Sequence, residues 1–362
     1  MLVENKKIIF TSGLGSGGAE RILNYLIHSF DSGRVLIVNM SAENVTYSKV
    51  LNDLGYQVYN FRFNSIVSLH RTISVFKGKE KVSYIGWMYA GCLVATLYFL
   101  FCNKGSKLVW NIRQSLYTLR NESKLSVLII FILSLLSYIP DYIIFNSHQG
   151  ARHHRKYFLF SKGFIVIANG IVLSQDSATS MASFNKDRFL FVGRFHKIKN
   201  YDTFFKVGIE LLVSRPSLYI DIYGSGWSEN EQVIDSYFTG LDGTVRERLR
   251  NNGNVLDIEK IYDNGGILIQ TSVSEGFSNV LIEAMYWGCL VVASDVGDTA
   301  KILLDRRFLI KNCYDYGSFV NAVKSILSMS EVEIDNLRRK QRFTVEQNYS
   351  LKKMITDFKK YI

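Results

Sequence analysis

Proline and cysteine are scarce in this sequence. Its 362 residues include only 2 prolines and an ordinary 26 glycines, so the chain is neither collagen-like nor a flexible linker. The 4 cysteines form no Cys-x-x-Cys pair, which argues against a zinc knuckle or a disulfide framework. The apolar run near the N terminus, Ile8 to Phe10, is shorter than the roughly 7–15 residues that a signal peptide needs. We therefore expect a cytosolic protein with reduced thiols.

Acidic residues are few in the first half of the chain. Residues 1–165 carry 19 Lys and Arg but 8 Asp and Glu, whereas residues 166–362 carry 24 of each. The net charge of +11 therefore lies in the first half, which attracts nucleic acid, an anionic membrane or a phosphorylated substrate. A mean hydropathy of +0.06 is high for a soluble chain and favours a membrane surface over nucleic acid. Solubility alone would also account for the charge.

Alternating apolar strands and amphipathic helices predict an α/β protein. Apolar residues make up 48% of the chain and charged residues 21%, which excludes disorder. Strands are predicted at 7–11, 35–38, 58–61, 107–110, 142–145, 189–192, 218–223, 267–270 and 290–293, and helices at 19–30, 201–213 and 279–287. Such alternation implies parallel sheets covered on both faces. A polar segment at 174–185 predicts a linker, and we place two domains at 1–170 and 171–344.

Two apolar stretches raise the question of a membrane span. Tyr84 to Cys102 runs for 19 residues without a charge, and Leu125 to Ile139 runs for 15 after Arg120 and Lys124. The first reaches the length of about 18 residues at which a spanning helix is considered. Because it lies between strands that must pair, we expect a strand end followed by a buried helix. A spanning or partly inserted element is the alternative.

A glycine-rich loop follows the first predicted strand. Residues 13–18 read Gly-Leu-Gly-Ser-Gly-Gly, a G-x-G-x-x-G pattern whose backbone amides can hold a phosphate. A dinucleotide site also needs an acid at the end of the second strand, but that strand ends at Asn39 and the nearest acid is Glu43. The position of the acid therefore argues against hydride chemistry, which is kept as an alternative. A tight turn that binds no ligand is another alternative.

A second pattern follows the predicted strand at 189–192. Gly193 is followed by Arg194 and Lys199, two cations at the carboxyl end of a strand, where open α/β sheets bind ligands. Arginine offers a bidentate fork and lysine a point charge, which together suit a diphosphate leaving group. A solvated basic loop is the alternative.

The most specific pattern is the segment 274–285, in which two glutamates stand eight residues apart. Glu275 follows a strand and Glu283 lies about one turn into the next helix. Gly276 permits close approach of a ligand, and Ser278 is a natural helix cap. Glu283 lies among apolar residues, where a carboxylate needs a partner such as a ligand hydroxyl. The alternative is a core helix with one salt bridge.

Taken together, these patterns resemble the retaining glycosyltransferases of family four, which have the GT-B fold of two facing Rossmann-like domains with an interdomain cleft. The matching pieces, in the family's order, are residues 17–21, 146–147, 169–170, 193–199, 224–226, 275–283 and 295–298.

The resemblance implies a nucleotide-sugar donor bound mainly by the second domain. It places Arg194 and Lys199 on the diphosphate and Glu283 on the ribose hydroxyls. It places Glu275 near the sugar, so the predicted catalytic set is Glu275, Arg194 and Lys199. The remaining predicted donor contacts are Gly17, Gly18, Gly224, Gly276, Phe277, Ser278 and Asn279. The resemblance also implies that a C-terminal helix, 345–362, crosses back to the first domain.

The sequence departs from the family pattern on the acceptor side. Many members carry a histidine near the anomeric centre, whereas this chain has Gln114 preceded by Arg113. An amide can hydrogen-bond a sugar hydroxyl but does not titrate near neutrality. We take Arg113 and Gln114 as the acceptor-side candidates and predict that His153 and His154 lie on the surface.

The resemblance implies a retaining glycosyltransferase. We predict that it is metal-independent, because no Asp-x-Asp triplet is present to hold a metal on the diphosphate. The donor is a substrate, and no cofactor or nucleic acid is expected. The basic, apolar first domain suggests a lipid-linked glycan acceptor of polysaccharide synthesis and peripheral attachment at the inner face of the cell membrane. A nucleotide-sugar epimerase or phosphorylase of the same fold, or a dinucleotide-dependent oxidoreductase, is the alternative. A nucleic-acid binder would leave the Glu275 and Glu283 pair unexplained.

Overall fold

The computed structural model describes residues 5–15, 17–41, 45–61, 66–102, 107–116, 119, 122–174, 181, 183–255 and 257–362. Four parts of the sequence predictions lie outside the described residues, namely Ser16, Glu43, Arg120 and residues 175–180 and 182 of the predicted linker. The chain packs as two compact units, one formed by residues 1–170 with 351–362 and the other by residues 171–350.

The first unit is built on a seven-stranded parallel sheet in the order β3-β2-β1-β4-β5-β6-β7. The strands are β1 Lys6–Thr11, β2 Val35–Asn39, β3 Gln57–Asn60, β4 Val82–Trp87, β5 Lys107–Ile112, β6 Tyr142–Phe145 and β7 Phe164–Val166. The helices are α1 Gly18–Ile27, α2 Val45–Asp53, α3 Ile66–Lys77, α4 Met88–Cys102, α5 Lys124–Leu136 and α6 His148–Arg155, and the unit is completed by the C-terminal α15 Leu351–Lys359.

Helices cover both faces of this sheet, because successive residues of a strand point to opposite sides. Ile8 and Phe10 of β1 pack in a core with α3, α4 and α5. Ile9 packs on the other face with α1 and with Met354 and Phe358 of α15. The buried, uninterrupted apolar strands are those expected of a parallel sheet.

The apolar stretch from Tyr84 to Cys102 divides into the end of β4 and the whole of α4, as the sequence predicted. Within the part of the chain that the structure describes, no helix is both long enough and apolar enough to cross a membrane. The second stretch forms α5, which begins at an N-cap, Ser123, whose hydroxyl accepts a hydrogen bond from the Ser126 amide.

The second unit is built on a six-stranded parallel sheet in the order β10-β9-β8-β11-β12-β13. The strands are β8 Arg188–Val192, β9 Tyr219–Tyr223, β10 Leu249–Asn251, β11 Ile267–Gln270, β12 Leu290–Ser294 and β13 Leu309–Ile310. The helices are α7 Tyr201–Ser214, α8 Glu231–Tyr237, α9 Gly243–Glu247, α10 Ile258–Tyr262, α11 Asn279–Tyr286, α12 Thr299–Ile302, α13 Tyr316–Leu327 and α14 Glu331–Asn348.

In each sheet the strand that comes first in the sequence, β1 or β8, lies inside the sheet and has later strands on both sides. The strand order reverses at this position. In the second unit β8 pairs with β9 on one edge and with β11 on the other. Helices after β8 and after β11 therefore leave the sheet in opposite directions, which opens a crevice at the carboxyl ends of these two strands. The predicted site segment 193–199 follows β8 directly, and the predicted segment 274–285 begins four residues after the end of β11.

The C-terminal segment differs in one respect from its predicted start at residue 345. A capping box at Ser330 and Glu333 begins α14, which continues through Asn348 as part of the second unit. Only from Leu351 does the chain join the first unit, where Phe358 packs against the Trp87 ring with centroids 6.5 Å apart. The return begins later because Val345 is still buried in the second unit.

Candidate functional site

The basic loop after β8 is held against the loop after β9 by backbone hydrogen bonds. The Gly193 amide donates to the Tyr223 carbonyl at 2.8 Å, and the Phe195 amide donates to the Ser225 carbonyl at 2.8 Å. A 3-10 turn at Lys197–Lys199 follows. Arg194 is exposed, whereas Lys199 is mostly covered. The structure thus fixes the backbone that carries both predicted diphosphate ligands.

Gly224 has a structural reason to be glycine. Its φ of +140° lies in a region that other residues rarely adopt, and a Cβ at this position would overlap the Gly193 carbonyl oxygen and lie 3.0 Å from the Arg194 amide nitrogen. The close approach is therefore between two loops of the same unit. Contact of Gly224 with the donor stays a prediction.

The structure brings together Lys199 and Glu275, which are 76 residues apart in sequence. The Lys199 ammonium lies 2.7 Å from Oε1 of Glu275, and the two side chains are 19% and 14% exposed. The Ser272 hydroxyl donates to the same carboxylate oxygen at 2.7 Å. A backbone bond from the Val273 amide to the Ile198 carbonyl, 2.9 Å long, holds the two loops together. Two of the three predicted catalytic groups therefore form one hydrogen-bonded cluster.

The loop from Gly276 to Ser278 leads into the N terminus of α11. Ser278 caps this helix by accepting a hydrogen bond from the Leu281 amide, and its hydroxyl donates to the Gln270 side chain. Phe277 is buried, and its ring packs against Tyr349 with centroids 5.7 Å apart. Asn279 is the first residue of α11, so the positive end of the helix dipole lies directly beside this loop.

Gly297 braces the same loop from the turn after β12. Its φ is +59°, and a Cβ there would lie 3.0 Å from the Glu275 carbonyl oxygen and 3.1 Å from that of Gly276. The left-handed backbone and the close contact both favour glycine. The resemblance identified the segment 295–298 without assigning it a role, and the structure gives it one in supporting the Glu275 loop.

Glu283 lies where the sequence predicted, in the buried part of α11. It is 4% exposed and is flanked by Ile282, Ala284 and Met285, all of them buried. An ionised carboxylate in such surroundings needs hydrogen-bond donors or a cation. Its position is compatible with the predicted ribose contact, which stays a prediction.

Two cations act on His196 in the basic loop. Partial burial is the main cause that lowers the pKa of His196, and the charges of Arg194 and Lys199 lower it further. Among the described residues, no group of three or more His, Cys, Asp or Glu is placed to hold a metal ion.

In the first unit, Gly17 and Gly18 form the start of α1. Gly17 is the N-cap in an extended conformation, and both glycines are exposed. At the end of β2, Asn39 donates to the Asn60 side chain at 3.0 Å and occupies the position where a dinucleotide site needs an acid. The observed site therefore does not favour hydride chemistry.

Arg113, one of the two acceptor-side candidates, is buried inside the first unit. Its guanidinium is stacked 4.9 Å from the Trp87 ring centroid and 5.1 Å from that of Phe358, and it donates to the Asn169 side chain. Burial lowers the pKa of Arg113 to about 9. Its side chain is only 5% exposed, and an acceptor contact at Arg113 stays a prediction.

The prediction that His154 lies on the surface is wrong, because His154 is fully buried, whereas His153 is half-buried. The Tyr89 hydroxyl lies 2.5 Å from its Nε2, and its Nδ1 lies 2.7 Å from the Gly150 carbonyl. Since a carbonyl only accepts, Nδ1 carries the proton and Nε2 accepts from Tyr89. Burial lowers the pKa of His154 to about 4. The buried residues of α6 are Gly150, Ala151 and His154, and their spacing of three and four residues was the signal in the sequence for a buried helix face.

Gln114, the acceptor-side candidate, adjoins this buried pair. Its side chain hydrogen-bonds with Tyr89 and also with Glu122, whose pKa is raised by partial burial. The amide is therefore held in place by partners on two other segments. An acceptor contact at Gln114 stays a prediction.

Comparisons with known proteins find similar sequences and similar folds. Residues 186–329 match the family model described as Glycosyl transferases group 1. A solved structure of HepE from Anabaena in complex with UDP superposes with a TM-score of 0.79 at 15% identity, covering 98% of both chains. The apo form of the lipopolysaccharide outer core galactosyltransferase WaaB superposes with a TM-score of 0.70 at 16% identity, covering 98% of both chains.

A curated relative is an uncharacterized glycosyltransferase of Haemophilus influenzae, 24% identical over 182 residues. The match covers 49% of this chain and 50% of that relative, so it spans about half the length of each. The fold class predicted from the sequence is confirmed: the two Rossmann-like units are those of GT-B glycosyltransferases. The segment that matches the family model also contains the Lys199 and Glu275 cluster and α11.

Proposed function

We propose that this protein is a retaining glycosyltransferase that moves a sugar from a nucleotide-sugar donor to a lipid-linked glycan acceptor without a metal ion. The observation that carries the proposal is the cluster of Lys199, Glu275 and Ser272 at the carboxyl ends of β8 and β11. It lies beside the N terminus of α11 and inside the segment that matches group 1 glycosyltransferases.

The reaction breaks the bond between the anomeric carbon and the diphosphate oxygen and forms a bond from that carbon to the acceptor hydroxyl oxygen, whose proton leaves with the nucleoside diphosphate. Negative charge grows on the leaving diphosphate, where preorganised cations and backbone amides act most strongly. Arg194, Lys199 and the first amides of α11 are the groups available for this task. In a retaining reaction the new bond forms on the face of the sugar that the leaving group occupied.

The Lys199–Glu275 pair suggests how the site responds to the donor. A bound diphosphate competes with Glu275 for the Lys199 ammonium, because it presents more negative charge than one carboxylate. Glu275 would then keep the Ser272 hydroxyl and accept from a hydroxyl of the sugar. Glu283 is assigned to the ribose hydroxyls, which are distant from the reacting bond and change little during reaction.

Support for the donor and the pathway comes from the similar structures. HepE was also solved with UDP-glucose, at a TM-score of 0.75 to this chain, and WaaB is a lipopolysaccharide outer core galactosyltransferase. We therefore favour a uridine diphosphate sugar and a bacterial surface polysaccharide. An epimerase or phosphorylase of the same fold is the second candidate, since it would use the same donor-binding groups.

We also propose that the protein works at the inner face of the cell membrane. α5 supports this proposal because it exposes an apolar face formed by Leu125, Leu128, Phe131 and Leu135, and Tyr138, just after the helix, is exposed as well. Lys124 begins the same helix and is exposed. Basic side chains beside an exposed apolar helix face are the features of a peripheral membrane element.

Two experiments test the catalytic proposal. Thermal-shift titration with UDP-, GDP- and ADP-sugars and with NAD(P) should stabilise the protein only with the correct nucleotide-sugar, because a ligand that binds the native state raises its apparent stability. With that donor, Glu275→Gln should depress kcat strongly, whereas Glu283→Ala should mainly raise KM, since ribose contacts are equal in ground and transition states.

The outcomes separate the alternatives. Stabilisation by NAD(P) alone would favour the oxidoreductase, and a product that keeps its nucleotide would favour the epimerase. Activity that EDTA abolishes and manganese or magnesium restores would overturn metal independence. Wild-type kinetics in both glutamate variants would show that the site is assigned wrongly.

A further inference from the structure

The segment that follows α6 exposes two large apolar side chains side by side. Phe158 anchors the segment in the core, where its ring packs edge-on against Trp110 with centroids 5.9 Å apart. The next two residues, Leu159 and Phe160, are 71% and 58% exposed. The loop 156–163 is therefore tied to the fold at its base and presents an apolar tip.

This tip adjoins the exposed face of α5. The Ser134 hydroxyl of α5 donates to the carbonyl of Tyr157, the residue that precedes Phe158. Phe131 lies three residues before Ser134 on α5, so these two residues are neighbours on the helix surface. Phe131 is exposed, as is Tyr138, which lies two residues beyond the end of the helix. The loop and the helix thus contribute to one apolar surface, although they are distant in sequence.

The loop and the sequence on either side of it carry positive charge only. Arg155, Lys156 and Lys162 are exposed, and no Asp or Glu occurs in the sequence between Asp141 and Asp176. Within the residues that the structure describes, none of these three cations forms a salt bridge. A small cavity of about 320 Å³ lined by Arg155, Phe158, Leu159 and Ser161 lies beside the tip. The Arg155 guanidinium and the Ser161 hydroxyl in this lining are donors that suit a phosphate group.

We propose that the loop 156–163 inserts into an anionic lipid bilayer, with Leu159 and Phe160 below the phosphate level and Arg155, Lys156 and Lys162 on the lipid phosphates. This inference rests on the membrane part of the proposed function and adds to it a second membrane-binding element. A second copy of the chain does not suit this surface, because it would bring the same cations face to face. A bilayer of anionic lipids meets both the apolar tip and its charge.

The test measures partition of the full-length protein onto vesicles by co-sedimentation. The vesicles are phosphatidylcholine alone or phosphatidylcholine with phosphatidylglycerol, at low and high salt. The wild type should bind the anionic vesicles, and binding should weaken as salt rises. The double variant L159D/F160D should lower the partition coefficient at least tenfold. V332D should bind like the wild type, because Val332 is equally exposed, at 71%, but lies on α14 of the second unit.

Other outcomes overturn the inference in distinguishable ways. If the wild type binds and L159D/F160D binds equally, the loop has no role while the membrane proposal stands. If the wild type binds neither vesicle, both are wrong. A dimer in sedimentation velocity that L159D/F160D dissociates would identify a second copy as the occupant. Melting temperature and nucleotide release should be unchanged in the variant. If it unfolds, L159S/F160S replaces it, with the same tenfold loss expected.

Discussion

Replacing Lys199 by methionine tests the cluster on which the proposed function depends. The substitution keeps most of the aliphatic stem but removes the ammonium that lies 2.7 Å from Oε1 of Glu275. Both side chains are less than one fifth exposed, so solvent screens the pair only in part. A hydrogen bond to a charged group contributes about 1.5–3 kcal/mol. We expect K199M to lower the free energy of unfolding by an amount in this range.

The catalytic effect should be larger than the effect on stability. Loss of one preorganised charge-stabilising donor costs about 2.7–4 kcal/mol of transition-state stabilisation, which corresponds to a decrease in kcat of roughly 10²–10³. E275Q removes the carboxylate from the other side of the same pair. Because the two residues act on each other, the double variant should lose less stability than the sum of the single losses.

Steady-state nucleotide release and urea unfolding measure the two effects on the same preparations. K197M serves as the control, because Lys197 lies in the same 3-10 turn, is exposed, and forms no salt bridge among the described residues. It should keep kcat and stability close to those of the wild type. Wild-type kcat in K199M, or additive stability losses in the double variant, would refute the reasoning.

Three further predictions concern the framework of the two units. G224A should lower the free energy of unfolding by at least about 2 kcal/mol, because the φ angle of Gly224 is +140° and a Cβ there overlaps the Gly193 carbonyl oxygen. G243A is the control and should be nearly neutral in thermal denaturation, because a Cβ at Gly243 meets open space. Burial lowers the pKa of His154 from 6.5 to about 4, so the unfolded state binds more protons than the folded state between these pH values. The free energy of unfolding should therefore fall by about 3 kcal/mol as pH drops from 7 to 4. H154Q should show a shallower pH dependence. D221N should cost about 3–5 kcal/mol in urea unfolding, because this buried carboxylate accepts from two arginines at 2.7 Å each, while D257N at an exposed pair should cost under about 1 kcal/mol. A flat pH dependence, or equal losses in a variant and its control, would contradict the corresponding prediction.

The sequence by itself determined the architecture and the location of the candidate site. Strands such as Val35–Asn39 and Leu290–Ser294 are short, apolar and followed by glycine or polar loops. This local pattern identifies a strand even when its neighbours in the sheet are unknown. Because all strands are parallel, their carboxyl ends lie at the same edge of each sheet. The residues after β8 and β11 could therefore be identified as site residues from their order in the chain.

Only the tertiary structure decided which side chains meet and which are covered. The pairing of Lys199 with Glu275 depends on the adjacency of β8 and β11, and no local pattern encodes it because the two residues are 76 positions apart. Arg113 and His154 have polar side chains, yet neighbouring elements bury both. In α5 apolar residues surround the whole helix, so their spacing could not tell the packed face from the exposed one. Burial is a property of the neighbours that cover a residue, and those neighbours come from distant parts of the chain.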